Sequence, residues 1–466
     1  MKKLLTSISL FSTAILYSAD FDVELKTGSS MNLKEAAPQK ALSFDDNLRI
    51  KAHTFTNNYT LYFDFPKGKY GLNNLTVFTD SSLGLSLYNQ IGTLEFRGNF
   101  TKQSEIQSDK GKRNAEANLA IYPYYAESIV GLKFCNDVSL LDNATDRTSG
   151  LFLGAYTNSG DFRNKSFFKN VEIDGDLILR NHKFAVATLE GENAVIKGQV
   201  KFDKLTEDRM GILVLNHDKR PEANLLIQTL KVGGLVSLTE NAGVVSTITD
   251  SQKFMDLKKG DVQNPNYPKG KKLVGDKIIR SGILEIIGKG GDFSGEIRDN
   301  FSDQDKRGQV SLTMNSPNEK QILRGKNTYT GSTIVKAGEL VLSGSDLIED
   351  LKIMGGTLSF LSANLEVKNL NWSSGGIIFD LSKNKSVNVL NKINVSAIPE
   401  ALDTLSFKNI TPRKAYTLIS FKNKENALAT FVGKKIEYTD TATNKVYTAM
   451  FGVSDTALTV VFLLKE

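Results

Sequence analysis

Cysteine is almost absent from this chain: Cys135 stands alone among 466 residues, so no intramolecular disulfide can staple the fold. Stability then has to come from backbone hydrogen bonds and buried apolar side chains. Cys135 itself, in Lys133-Phe134-Cys135-Asn136, reads as a small buried apolar residue. Proline is scarce too, with 9 residues, and no long helical periodicity runs through the chain. The three histidines, His53, His182 and His217, are scattered without metal-ligand spacing and read as surface or turn residues. Tryptophan occurs once, at Trp372, whereas a carbohydrate-binding face would present several Trp or Tyr side chains. Trp372 reads instead as a packing residue. No dense basic run exists: 58 Lys and Arg face 52 Asp and Glu, and the net charge of +6 is spread along the chain. That balance argues against dedicated nucleic-acid binding and permits weak attraction to anionic cell surfaces.

The first residues do form a recognisable unit. Lys2 and Lys3 precede a moderately apolar stretch from Leu4 to Leu16, and Tyr17-Ser18-Ala19 stands before Asp20. This is the pattern of a secretory signal peptide over residues 1–19, and it predicts export. The run is shorter than the ~20 apolar residues that a spanning helix needs, and no later segment reaches that length. The remaining length suits two or three ordinary domains, or one extended solenoid in which length adds coils rather than new cores.

A short pattern recurs: apolar-x-Gly-x-apolar-x-apolar. It reads Ile173-Asp174-Gly175-Asp176-Leu177-Ile178-Leu179, then Ile196-Lys197-Gly198-Gln199-Val200-Lys201-Phe202. Further copies occur at Val232–Leu238 and Met354–Phe360, and Lys336–Leu342 keeps the glycine and the alternation. The two apolar residues after the glycine are two apart and so point to one face of a strand. One such strand cannot bury that face alone; a copy stacked above and below can. Glycine permits a bend or a positive φ between faces. The pattern favours a coil of stacked strands, and an ordinary β-sandwich remains the competing arrangement, because its strands also alternate.

The most distinctive segment is Gly325-Lys326-Asn327-Thr328-Tyr329-Thr330-Gly331-Ser332-Thr333-Ile334-Val335-Lys336-Ala337-Gly338-Glu339-Leu340-Val341-Leu342-Ser343-Gly344. It closely resembles the passenger-associated transport repeat of bacterial autotransporters. Gly282–Ile297 resembles the coil that precedes the repeat in such passengers, and Gly375–Leu381 and Ala415–Ser420 resemble the end of a passenger. One departure is Ser316-Pro317-Asn318-Glu319-Lys320, where family members are richer in Gly and Thr. The resemblance implies an all-β fold, a right-handed parallel β-helix, over residues 161–400, with the repeat around 321–360. A less regular β-rich region would occupy 20–160 and a C-terminal β cap 401–466. It further implies a surface or secreted interaction module engaged in adhesion or host contact, with an unspecified host or cell-surface ligand. Nothing after Ile419 has the length of a membrane barrel of ~8 strands. The expectation is therefore a passenger from a truncated or split gene, displayed at the cell surface or secreted through a separately encoded outer-membrane β-barrel or, without one, left in the periplasm as a stranded remnant.

Enzymatic signals are weak. The Gly-Asp-Ser-Gly nucleophile motif of protease passengers is missing, and Ser294 in Gly291-Asp292-Phe293-Ser294-Gly295 has one residue too many before the serine. Neither a Gly-x-Ser-x-Gly elbow nor a phosphate-cradling loop occurs. A glycan-active enzyme on the same scaffold would need paired carboxylates, for which Asp174 and Asp176 are the candidates. Asp299, Asp303 and Asp305 form a polar loop that offers oxygens to a hard cation but lacks the glycine and distal glutamate of an EF-hand; it reads as a solvated acidic loop. The expectation is a non-enzymatic chain with no catalytic, cofactor-binding or metal-binding residues.

Overall fold

A computed structural model describes residues 20–25, 31–32, 47–52, 59–64, 70–79, 83–88, 92–104, 116–123, 130–142, 148–153, 168–181, 184–189, 191–204, 210–215, 227–247, 280–300, 308–343, 347–362, 364–395, 405–422, 428 and 431–465. The expected signal peptide, His53, His182, His217, Asp303 and Asp305 lie outside them. The described chain is all-β, without an α-helix, and its strands pair in two sheets that are mostly parallel.

Three parallel ladders share one core. In the first, Leu72 registers with Phe96, and the column continues through Phe134, Ile173, Ile196 and Val232. It goes on through Ile286, Met314, Val335, Ile353 and Trp372 to Val395. Every one of these side chains is buried. The second ladder aligns Leu48, Leu75, Phe100, Val138, Leu177, Val200 and Leu235. The third aligns Leu83, Leu119, Leu151, Ala187, Leu213, Val245 and Ile297. All three columns belong to a single hydrophobic cluster. Rings stack within it: Phe96 and Phe134 lie 5.0 Å apart with planes 10° from parallel.

The recurring glycine pattern has a direct physical cause. Leu177 and Leu179, Val200 and Phe202, Leu340 and Leu342, and Leu358 and Phe360 all bury themselves on the same side of their strands. The glycines stand over one another between two faces. A Cβ on Gly198 would sit 2.2 Å from the Gly175 carbonyl oxygen, so at this bend close backbone approach, not positive φ, demands glycine. The third ladder departs from simple alternation. Residues 211–215 and the strand Val244–Thr247 are buried on both faces, as expected of parallel strands covered on both sides.

Beside the glycines runs a polar ladder. Asn47 Oδ1 accepts from Asn74 Nδ2 at 2.8 Å, and Asn74 Oδ1 accepts from the Asn99 N–H at 2.7 Å. Asp137 Oδ1 accepts from the Asp176 N–H at 2.8 Å, and Asp176 Oδ1 from the Gln199 N–H at 2.7 Å. Each oxygen accepts from a donor one level away, and three of the four donors are backbone N–H groups that find their partner in this way.

The arrangement changes near the C-terminus. Ala415–Phe421, Ala457–Leu464, Lys445–Val453 and Lys435–Asp440 pair antiparallel. The last strand of the second ladder, Leu405–Lys408, pairs with Asn364–Asp380 in parallel. On its other side the Tyr438 hydroxyl accepts from the Phe407 N–H at 3.0 Å and donates to the Phe407 carbonyl at 2.8 Å. One phenol thus closes what another strand would have paired. The Phe407 ring is meanwhile sealed by Phe462, 4.9 Å away.

Candidate functional site

The segment from Gly325 to Ser343 is the natural place to look first, and its distinctive residues are consumed by structure. Asn327 Oδ1 accepts from the Ile297 N–H, and its Nδ2 donates to the Gly325 carbonyl at 3.0 Å. Tyr329 is buried, with its hydroxyl 2.7 Å from Thr333 Oγ1. Gly325 and Gly331 lie so close to neighbouring backbone that a Cβ would fall 1.8 Å from Gly295 O and 2.2 Å from Val310 O. Gly338 adopts φ +75°, in the left-handed region that favours glycine. The divergent Ser316–Lys320 stretch is accommodated inside the strand Gly308–Leu323, where Asn318 takes φ +63°.

Asp299 serves the same bend. Its carboxylate accepts from the Val310 N–H at 2.8 Å, from the Thr330 N–H at 3.1 Å and from Thr330 Oγ1 at 2.7 Å. A carboxylate so engaged clamps the turn before Gly331. Ser294 is likewise a connector: its N–H donates to Ser237 Oγ at 3.0 Å, and its own Oγ accepts from the Asn241 N–H at 2.9 Å. Trp372 is fully buried and donates from Nε1 to the Gly375 carbonyl at 2.9 Å.

The densest set of ionisable side chains lies on the outward side of the first ladder. Lys133 registers with Glu172, 3.3 Å from its Oε1, and reaches Asp174 Oδ2 at 3.0 Å. Lys197, one level on, pairs with Glu172 and stands 2.7 Å from Asp174 Oδ1. That last contact is an ion pair off the hydrogen-bonding line, which leaves Oδ1 without an aligned donor. Burial works to raise the Asp174 pKa, but the ammonium groups of Lys197 and Lys133 outweigh it and hold the carboxyl at about 2. Lys197 is raised in return, chiefly by its ion pair with Asp174. Asp176 does not join this group; it pairs with Lys201 and caps the Gln199 N–H. The two candidate carboxylates therefore have separate partners. The Cys135 thiol, half-buried next to the group, has its pKa raised, first by burial and then by Glu95. A raised thiol pKa means less thiolate and less nucleophilicity.

This cluster escapes sequence inspection because its members come from three strands, with Lys133 and Glu172 39 positions apart. Only the alignment of Asn136-Asp137 with Gly175-Asp176 hints at the shared level. Elsewhere the outward polar residues also pair between levels: Asn369 donates to Asp350, Asn391 to Asn369, and Glu339 takes both Lys320 and Ser359. Among the described residues no group of three or more His, Cys, Asp or Glu side chains is placed to hold a metal ion. A depression is lined by Asn327, Tyr329, Leu342, Ser343, Leu347, Ile348 and Leu365, none of which is charged. Compared with known proteins, the chain matches no family model, no curated protein and no solved structure.

Proposed function

We propose that this chain is the exported passenger of an autotransporter-like protein. Its strands wind as a right-handed parallel β-helix, and it acts as a non-enzymatic surface or secreted interaction module. The observation that carries the reading is the conversion of the repeat residues Asn327, Tyr329, Gly331 and Gly338 into hydrogen-bonding, core and turn positions of a parallel stack. Right-handedness rests on the strong preference of parallel crossover connections for that hand. The stack makes a stiff stalk, and irregular loops along it supply contacts to a host or cell-surface ligand.

The engagement of Asp174 with Lys133 and Lys197, and of Asp176 with Lys201 and Gln199, favours this over a glycan-active enzyme built on those carboxylates. The test is expression of the full chain in a Gram-negative host, with fractionation and N-terminal sequencing of the product. An extracytoplasmic protein beginning at Asp20 is expected. A cytoplasmic protein that retains Met1 would overturn the export reading. Incubation with neutral and acidic polysaccharides is expected to release no new reducing ends, and their release would restore the enzyme reading.

A further inference from the structure

In a parallel ladder a residue directs its N–H and its C=O to the same neighbouring strand. At Phe407 the end of the ladder is marked by a side chain, Tyr438, taking both groups. The same chemistry recurs inside the stack, at Lys204 through the Thr239 hydroxyl and at Leu235. The Leu235 N–H donates to Gln321 Oε1 at 3.0 Å, and the Leu235 carbonyl accepts from Gln321 Nε2 at 3.1 Å. Gln321 does not sit on the adjacent level. It registers with Gly291, and its amide passes that glycine, giving a further bond to the Gly291 carbonyl at 3.2 Å. From the opposite side Gln199, in register with Gly234, extends past it to the Gly290 carbonyl at 2.6 Å.

Two levels thus touch without a ladder between them. Among the described residues, Gly234–Ser237 registers with Gln199–Phe202 and Gly290–Phe293 with Lys320–Leu323, and neither registers with the other. The approach is nonetheless close, since a Cβ on Gly234 would lie 1.9 Å from the Gly290 oxygen. In the third ladder the register shifts at this same height, between Val245 and Thr247. Only the first ladder crosses intact, with Ile227–Val232 on Ser281–Ile286.

We propose that this level is a joint between two cooperative folding units, one ending at Thr247 and the other beginning at Arg280. One full backbone ladder joins them, spliced by the side chains of Gln199, Ser237, Ser294 and Gln321. In a stack, stability is a sum of unit terms and interface terms, so a weakened interface lets its two sides unfold separately. The inference is independent of the export and interaction reading.

The test uses the full chain. Trp372, the only tryptophan, reports on the second unit alone, whereas far-UV circular dichroism reports on both. Hydrogen exchange read peptide by peptide across a denaturant series then locates the boundary. The expected result is non-coincident transitions, with a step in midpoint between peptides of 210–247 and of 280–300. Replacing Gln199→Ala and Gln321→Ala together should widen that step by lowering the midpoint of the weaker unit. Gln199→Ala alone, at a half-buried position, should widen it less and serves if the double variant does not fold. One common midpoint for fluorescence, dichroism and every peptide, or a step at another level, would overturn the joint.

Discussion

The Tyr438 hydroxyl closes both backbone hydrogen bonds of Phe407, accepting at 3.0 Å and donating at 2.8 Å across 31 positions of sequence. Its ring meanwhile packs edge-on to Phe407, 5.3 Å between centroids. Tyr438→Phe keeps the ring contact and removes only the hydroxyl. Two buried backbone groups then lose their partner, for which a cost of about 1–3 kcal/mol is expected. Chemical denaturation followed by Trp372 fluorescence measures it. Exposed ladder ends also invite strand addition, so the variant should self-associate more readily than the parent in analytical ultracentrifugation. A variant as stable as the parent would show that the hydroxyl does not cap the stack.

Two glycines separate conformational strain from steric clash. Gly433 has φ +69° and open space around its Cβ position, whereas Gly338 has φ +75° and would place a Cβ 2.1 Å from the Ser316 oxygen. Gly433→Ala should therefore cost about 1–2 kcal/mol, the left-handed penalty alone. Gly338→Ala should cost clearly more, because the backbone of Ser316 must move as well. Equal losses in thermal denaturation would contradict the close packing of Gly338 against Ser316–Lys320.

The acid side of the stability profile should depend on Asp174. Its carboxyl is held at about 2, below the ordinary 3.8. The folded state therefore binds this proton less tightly than the unfolded state, and the stabilisation is complete above about pH 4 and lost as pH falls toward 2. Lys197, shifted upward from 10.5, would lose its share only at strongly alkaline pH. Asp174→Asn should cost about 1 kcal/mol near neutrality, a small figure because solvent screens the cluster. The difference from the parent should shrink toward zero between about pH 4 and pH 2. A difference that stays constant across that interval would mean the ion pairs contribute nothing.

Much of the fold is legible in short strings. In Ile173–Leu179 and Ile196–Phe202 the inward leucines, Val200 and Phe202 can be named in advance, because a period of two admits one buried face. In the segment Gly325–Ser343, Asn327, Tyr329 and Gly331 each satisfy a constraint that few other residues meet. The role of the glycines is only half visible. Gly198 resembles a positive-φ position, yet what it supplies is room for the Gly175 oxygen.

The cross-level partners stay hidden. Gln321 carries no local sign that it pairs with Leu235, 86 positions away, and Lys133 none that it meets Glu172 and Asp174. Such pairs follow from how many residues each level consumes. That number varies, with partners 39 positions apart at Asp137–Asp176, 23 at Asp176–Gln199 and 19 at Asp350–Asn369. Successive levels therefore consume different numbers of residues, and no fixed period exists for the eye to follow.

The parallel stacking itself is the claim on which the rest depends, and site-specific disulfide trapping tests it most directly. Lys352 and Asn371 face outward in register on adjacent levels. Strand spacing of about 4.8 Å puts their Cα atoms within disulfide range. Glu366, also outward, registers instead with Leu347. In a Cys135→Ser background, mild oxidation of Lys352→Cys/Asn371→Cys should give an intramolecular disulfide, identified by peptide mass spectrometry. The Lys352→Cys/Glu366→Cys chain should remain reduced. Failure of the first pair to close, or equal closure of both, would contradict the stack.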